Sequence, residues 1–196
     1  MKTKKKILVA LALVGCAILL VAGSIAGTMA YLKSTPGTVT NTFTVGKVVI
    51  TLNETKVDEY GDAVENADPV TANSYKLIPG HTYTKDPTIH VESGSEACWL
   101  FVKVVNGISA IEDGTTIATQ MTTTHGWTAL EGVDNVYYKE HAKDDAADVK
   151  VFETFKLKND AAVEDYEDAS ISVTAYAIQS DGFADAKAAW TAGGFN

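Results

Sequence analysis

The 196-residue chain carries 16 basic and 25 acidic side chains, a net charge of −9 at pH 7, and no arginine. A negative surface repels a phosphate backbone, and bidentate reading of phosphates and bases leans on arginine, so nucleic-acid binding is excluded. The same surplus of acid disfavours adhesion of the folded domain to anionic lipid.

The chain opens with Lys2, Lys4, Lys5 and Lys6, then runs uncharged from Ile7 to Ala30. A basic start, an apolar stretch and small residues before a polar segment predict a signal peptide over residues 1–30. Cleavage falls between Ala30 and Tyr31, with Thr28 at the −3 position; Ser24-Ile25-Ala26 is a competing site. Two other fates are open. The stretch is long enough to remain as a membrane anchor with its lysines on the cytoplasmic side. Leu13-Val14-Gly15-Cys16 looks like a lipobox that would place a lipid on Cys16, although the run stays apolar after it. Removing residues 1–30 takes four basic residues and no acid, leaving 12 against 25 and a net charge of −13 over 166 residues. That length suits one domain. Only Cys98 survives, inside the apolar run Ala97–Val102, and reads as a buried core thiol.

The remaining chain is a succession of short β-branched and aromatic runs punctuated by turns. Val45–Leu52 alternates, with Val48, Ile50 and Leu52 inward and Val49 and Thr51 outward. Tyr75–Ile78 reads as a strand ending at the Pro79-Gly80 turn, where proline presets φ and glycine permits a positive value. Thr82–Val91 and Ala97–Val105 follow, the latter apolar on both faces and therefore central. Between them Ser93-Gly94-Ser95 reads as a hairpin turn. Ile108–Met121 is a helix or an irregular crossover. Gly126–Leu130, Val136–Lys139, Val149–Leu157 and Ser170–Gln179 are further strands, and Phe183–Trp190 is a short helix by propensity. The acidic stretches Asn53–Asn73 and Glu140–Asp148 read as surface loops or insertions. Seven to nine strands without the helices that a parallel sheet needs predict an all-β, antiparallel, two-sheet sandwich. Short helical segments sit in its connections and near the C-terminus.

The chemical inventory is thin. His81, His90, His125 and His141 never occur as His-Glu-x-x-His, and no nucleophile elbow, phosphate loop or dinucleotide glycine motif is present. The acidic runs 58–62, 144–148 and 164–168 offer oxygen ligands suited to Ca²⁺ but lack the alternating spacing of a one-loop site, so they read as solvated surface. No catalytic residue, cofactor or metal ligand is assigned. Trp99, Trp127 and Trp190 read as core rather than as a sugar platform, Trp127 least firmly.

Gly27-Thr28-Met29-Ala30-Tyr31, followed by Asn41-Thr42-Phe43-Thr44-Val45-Gly46 and Val48-Val49-Ile50-Thr51-Leu52, resembles the start of the TasA/camelysin family of secreted Gram-positive proteins. A second block, Leu77-Ile78-Pro79-Gly80 through Thr84-Lys85-Asp86, is similar to that family's turn and strand. Ser93-Gly94-Ser95, Trp99–Val105 and Ala175-Tyr176-Ala177-Ile178-Gln179 with Gly182-Phe183 and Ala188-Ala189-Trp190 extend the likeness over nearly the whole exported chain. The resemblance implies a jelly-roll-like sandwich over residues 47–196, leader removal by a SipW-type signal peptidase, and a role as a biofilm-matrix or surface fibre subunit. It further implies assembly by addition of an N-terminal strand, within residues 31–46, to a neighbouring copy. The strand residues are Val39, Thr40, Asn41, Thr42, Phe43, Thr44 and Val45, with Thr38, Thr40, Thr42 and Thr44 on one face and Val39, Phe43 and Val45 on the other. The partners so implied are further copies of the chain and a related fibre-anchoring protein, with membrane contact only through an uncleaved leader.

Pairing of that strand within its own domain is the competing arrangement. Two other functions stand beside the fibre reading. One is a camelysin-type secreted metalloprotease using His81, His90 or His141 with nearby acids, for which no zinc-ligand spacing is present. The other is a membrane-anchored accessory protein or adhesin.

Overall fold

The structure, a computed structural model, describes residues 47–195. Nine strands run in the order β1 (Ile50–Asn53), β2 (Thr82–Thr84), β3 (Thr88–Val91), β4 (Cys98–Asn106), β5 (Thr128–Ala129), β6 (Val136–His141), β7 (Ala147–Lys150), β8 (Thr154–Lys156) and β9 (Ile171–Gln179). Two α-helical segments, α1 (Ile117–Thr119) and α2 (Ala186–Gly193), lie between β4 and β5 and after β9. Every ladder is antiparallel, and the sheets are ordered β1-β3-β7, β2-β8 and β5-β6-β4-β9. The protein is all-β with few helical residues.

The expected strands Thr82–Val91 and Val149–Leu157 each appear as two. They nevertheless form one ladder. β2 on β8 and β3 on β7 keep a single register, with Thr84 opposite Thr154 and Thr88 opposite Lys150. Between them the Lys85 N–H donates to the Glu153 carbonyl at 3.0 Å and the Val151 N–H to the Pro87 carbonyl at 2.8 Å. The interruption sits at Pro87, which has no N–H to give. Along this strand Tyr83, Lys85, Pro87, Ile89 and Val91 are buried, whereas the residues between them are more open. Strict alternation therefore turns a lysine toward the core.

β4 is the central strand that its two apolar faces predicted. Cys98, Leu100, Val102 and Val104 enter the larger core, while Phe101 enters a smaller one with Leu130, Val136, Ala186, Ala189 and Trp190. The second core exists because α2 lies against that side of the sheet. α2 starts at Ala186 rather than Phe183, since Asp185 caps it by accepting the Ala188 N–H at 2.8 Å. It ends at Gly194, which takes φ +62°.

Two other expectations change. Tyr75–Ile78 is extended but joins no ladder. The Tyr83 hydroxyl takes the place of a partner strand, accepting the Ile78 N–H at 2.7 Å and donating to the Lys76 carbonyl at 2.6 Å. The turn that follows is as expected, with Gly80 at φ +75° and the His81 N–H on the Ile78 carbonyl at 3.1 Å. Ser93-Gly94-Ser95 is a turn but not a hairpin, because it carries the chain from β3 in one sheet to β4 in another. Residues 108–124 form an irregular crossover: a 3₁₀ turn at Ser109–Ile111, then α1, then a wider π turn over Gln120–Thr124. Buried Gln120 ties this crossover to β8. Its amide donates to the Thr154 carbonyl at 2.7 Å and accepts the Glu153 and Thr154 N–H groups at 3.1 and 3.2 Å.

Candidate functional site

Two features of the described domain stand out chemically: an open sheet edge and a buried polar cluster. β9 is the outermost strand of its sheet, nine residues long, with β4 on one side and no described strand on the other. Its sequence, Ile-Ser-Val-Thr-Ala-Tyr-Ala-Ile-Gln, contains neither proline nor charge. Those are devices by which edge strands are normally blunted. β1 is likewise an edge of its own sheet and approaches β9 without pairing to it. At the start of β9 lies a cleft of about 610 Å³ whose walls include Tyr75, Leu77, Ile108, Phe155, Val163 and Ile171.

The polar cluster lies where the first strand leaves its sheet. Ile50, Leu52 and Glu54 continue one face of β1, and Glu54 is 5% exposed. Its Oε2 meets Lys85 Nζ at 2.6 Å. Its Oε1 accepts from Asn73 Nδ2 at 2.9 Å, and that amide also donates to the Thr55 carbonyl at 2.8 Å. Asn73 Oδ1 in turn accepts the Val57 N–H at 3.0 Å. With acceptors around its nitrogen and a donor at its oxygen, the orientation of this amide follows from its partners. Asp86 extends the cluster, accepting the Thr55 N–H and hydroxyl at 2.8 and 2.7 Å. Tyr75 packs edge-on against Tyr83 and Phe155. Burial, followed by the charges of Glu54 and Asp86, pushes its hydroxyl pKa strongly upward. Asn73 and Lys85 both line the cleft.

Sequence reasoning missed this cluster. It assigned 53–73 to a surface loop, yet Glu54 and Val57 are buried and Glu54 exchanges two backbone hydrogen bonds with Val70, at 2.8 and 2.9 Å. The signal was there: Lys85 falls on the inward positions of an alternating strand, and an inward lysine demands an acid.

The four histidines are dispersed. His81 Nε2 is 2.8 Å from the Tyr60 carbonyl and His141 Nε2 is 2.6 Å from the Asp145 carbonyl. His90 spans three strands, with Nδ1 2.6 Å from Asp148 and Nε2 2.8 Å from Asn53 Oδ1. His125 has a buried Nε2 without a hydrogen-bond partner, and burial holds its pKa below the usual imidazole value. Among the described residues no three His, Cys, Asp or Glu side chains converge as a metal ion would require. Cys98 is fully buried. Trp127 and Trp190 are core residues, the former donating from Nε1 to the Lys150 carbonyl at 2.9 Å. Trp99 is half-buried against Tyr138.

The cleavage junction Ala30–Tyr31, Cys16 and the strand Val39, Thr40, Asn41, Thr42, Phe43, Thr44 and Val45 lie outside the described residues. Among those described, no helix is long and apolar enough to cross a membrane. Comparison with known proteins finds no matching family model, no matching curated protein and no matching solved structure.

Proposed function

We propose that this chain is a secreted structural subunit of an extracellular fibre or matrix, assembled by strand addition between copies. Its fold in this reading is a two-layer, jelly-roll-like sandwich completed by the added strand. The observation that carries the proposal is the edge of β9: nine residues, uncharged, free of proline, and beside a second edge at β1. Such an edge is a template for another strand, whose main-chain hydrogen bonds supply affinity and whose alternate side chains set register. Residues 39–45 have the β-prone, alternating composition of the missing strand, and cleavage at Ala30–Tyr31 would free them. Donation from one copy to the next is head-to-tail and does not close, which is the geometry of a filament. In this reading the partners are further copies of the chain, with an anchoring protein at the fibre base and a SipW-type peptidase acting on the leader.

Deleting Tyr31–Val45 is expected to leave a secreted, folded product that forms no filaments by electron microscopy. Placing lysines at exposed Ser172 and Thr174 of β9 is expected to block filaments while preserving secretion and the circular dichroism spectrum. Wild-type filaments from either variant would contradict the proposal.

A further inference from the structure

The geometry of Glu54, Asn73 and Lys85 points to an intramolecular amide cross-link between the Lys85 and Asn73 side chains, formed by the protein itself with Glu54 as the catalytic acid and base. The three components of such a reaction meet at one carboxylate. Glu54 Oε2 holds the nucleophile, Lys85 Nζ, at 2.6 Å, and Oε1 holds the leaving nitrogen, Asn73 Nδ2, at 2.9 Å. The Asn73 carbonyl oxygen receives the Val57 N–H at 3.0 Å, a fixed donor at the atom where negative charge would develop. Lys85 and Glu54 are 8% and 5% exposed, so the amine is largely shielded from bulk water and is held by its hydrogen bond to Glu54 Oε2.

The step balances without any oxidant or cofactor. Glu54 takes a proton from the Lys85 ammonium, and the freed amine attacks Cγ of Asn73, forming the new C–N bond while the carbonyl electrons move onto Oδ1. Glu54 then protonates Nδ2 and accepts the surplus proton of the new bond. The intermediate collapses, the Cγ–Nδ2 bond breaks, and ammonia departs, leaving as ammonium with the proton the lysine brought. A primary amide and an alkylammonium become a secondary amide and an ammonium ion. The leaving group has an exit, since Asn73 and Lys85 line the cleft.

Physical economy favours this role over a purely structural one. Burying two charges is costly, and a buried ion pair often adds little net stability compared with apolar residues of the same volume. The described chain has one cysteine and therefore no disulfide within it. A covalent tie here would instead fasten the segment after β1 and the extended segment 74–78 to the Lys85 end of the β2–β3 strand.

The test is mass spectrometry of the secreted wild-type protein after digestion with an endoproteinase that cuts after lysine. Cross-linked protein resists cutting at Lys85 and yields residues 57–76 joined to residues 77–103, about 17 Da lighter than the two peptides together, the mass of one ammonia lost to the nucleophile. In Glu54→Gln, and in Asn73→Ala, the peptides are expected to separate and cutting at Lys85 to return. Ordinary cutting at Lys85 in the wild-type protein would overturn the proposal without recourse to any variant. A link from Lys85 to Glu54 with loss of water would overturn the choice of Asn73. Persistence of the link in Glu54→Gln would overturn the catalytic role.

Discussion

Lys85 and Glu54 illustrate how a single parity decides the chemistry of a site. Two residues of displacement along a strand preserve the face, so Tyr83, Lys85, Pro87 and Ile89 all turn inward, and the lysine must be met by an acid. Glu54 reaches it only because β1 pairs with β3 in a register that sets Asn53 against Thr88. His125 shows the opposite economy, a titratable ring with one nitrogen shut away from water and unpartnered. Burial lowers its pKa, Lys150 and Lys139 push the same way, and Glu153 opposes them. The folded protein therefore prefers the neutral ring more strongly than the unfolded chain does. Between the lowered folded value and the ordinary value of about 6.5, the unfolded state binds more protons, so this contribution is whole above that range and drains as pH falls through it. His125→Gln should remove that loss. Urea midpoints for wild type and variant are expected to diverge between pH 7.5 and pH 5.5, the wild type falling further; parallel shifts would refute the argument.

At the scale of elements, the long runs were legible and their interruptions were not. β-Branched and aromatic composition marked the 82–91 and 149–157 strands, and the structure keeps one register through both, broken only where Pro87 cannot donate. Tyr75–Ile78 has strand composition but pairs with no strand; the Tyr83 hydroxyl meets its Ile78 N–H and Lys76 carbonyl, and the Lys76 N–H donates to the Glu59 carbonyl. Composition cannot distinguish an extended segment with a strand for a neighbour from one with a side chain there. The helix near the C-terminus was visible from propensity, and its start is set by Asp185. Asp185→Ala should cost about 1 kcal/mol, the usual worth of such a cap, and Asp185→Asn much less. Chemical denaturation of the two variants would check the order. The loss should also loosen α2 from β4, where Phe101 faces Trp190 of the helix at 5.2 Å between ring centroids. Trp fluorescence before the main transition would report that.

Across the whole of the described domain, packing takes the place of covalent bridges between cysteines. Cys98 sits in the larger core on β4, and burial raises its thiol pKa to about 11. A protonated, enclosed thiol is a poor nucleophile, so alkylation by iodoacetamide at neutral pH should proceed only as fast as the domain opens. Labelling of the native protein within minutes would refute this placement. The same wholeness governs the edges. β9 and β1 each end a sheet among the described residues, and in the proposed reading the uncharged nine-residue edge of β9 receives a strand from another copy.

The sequence by itself determined the antiparallel all-β class, the central place of β4, the Pro79-Gly80 turn and the presence of a short helix near the C-terminus. Each of these follows from local period, propensity or turn chemistry, which act over a few neighbouring residues. Only the tertiary structure decided that Glu54, Asn73 and Lys85 share one carboxylate, that 74–78 lacks a ladder, and that the 93–95 turn joins two sheets. Those facts depend on register between strands far apart in the chain. Register is set by how the faces pack together and is carried by no single segment.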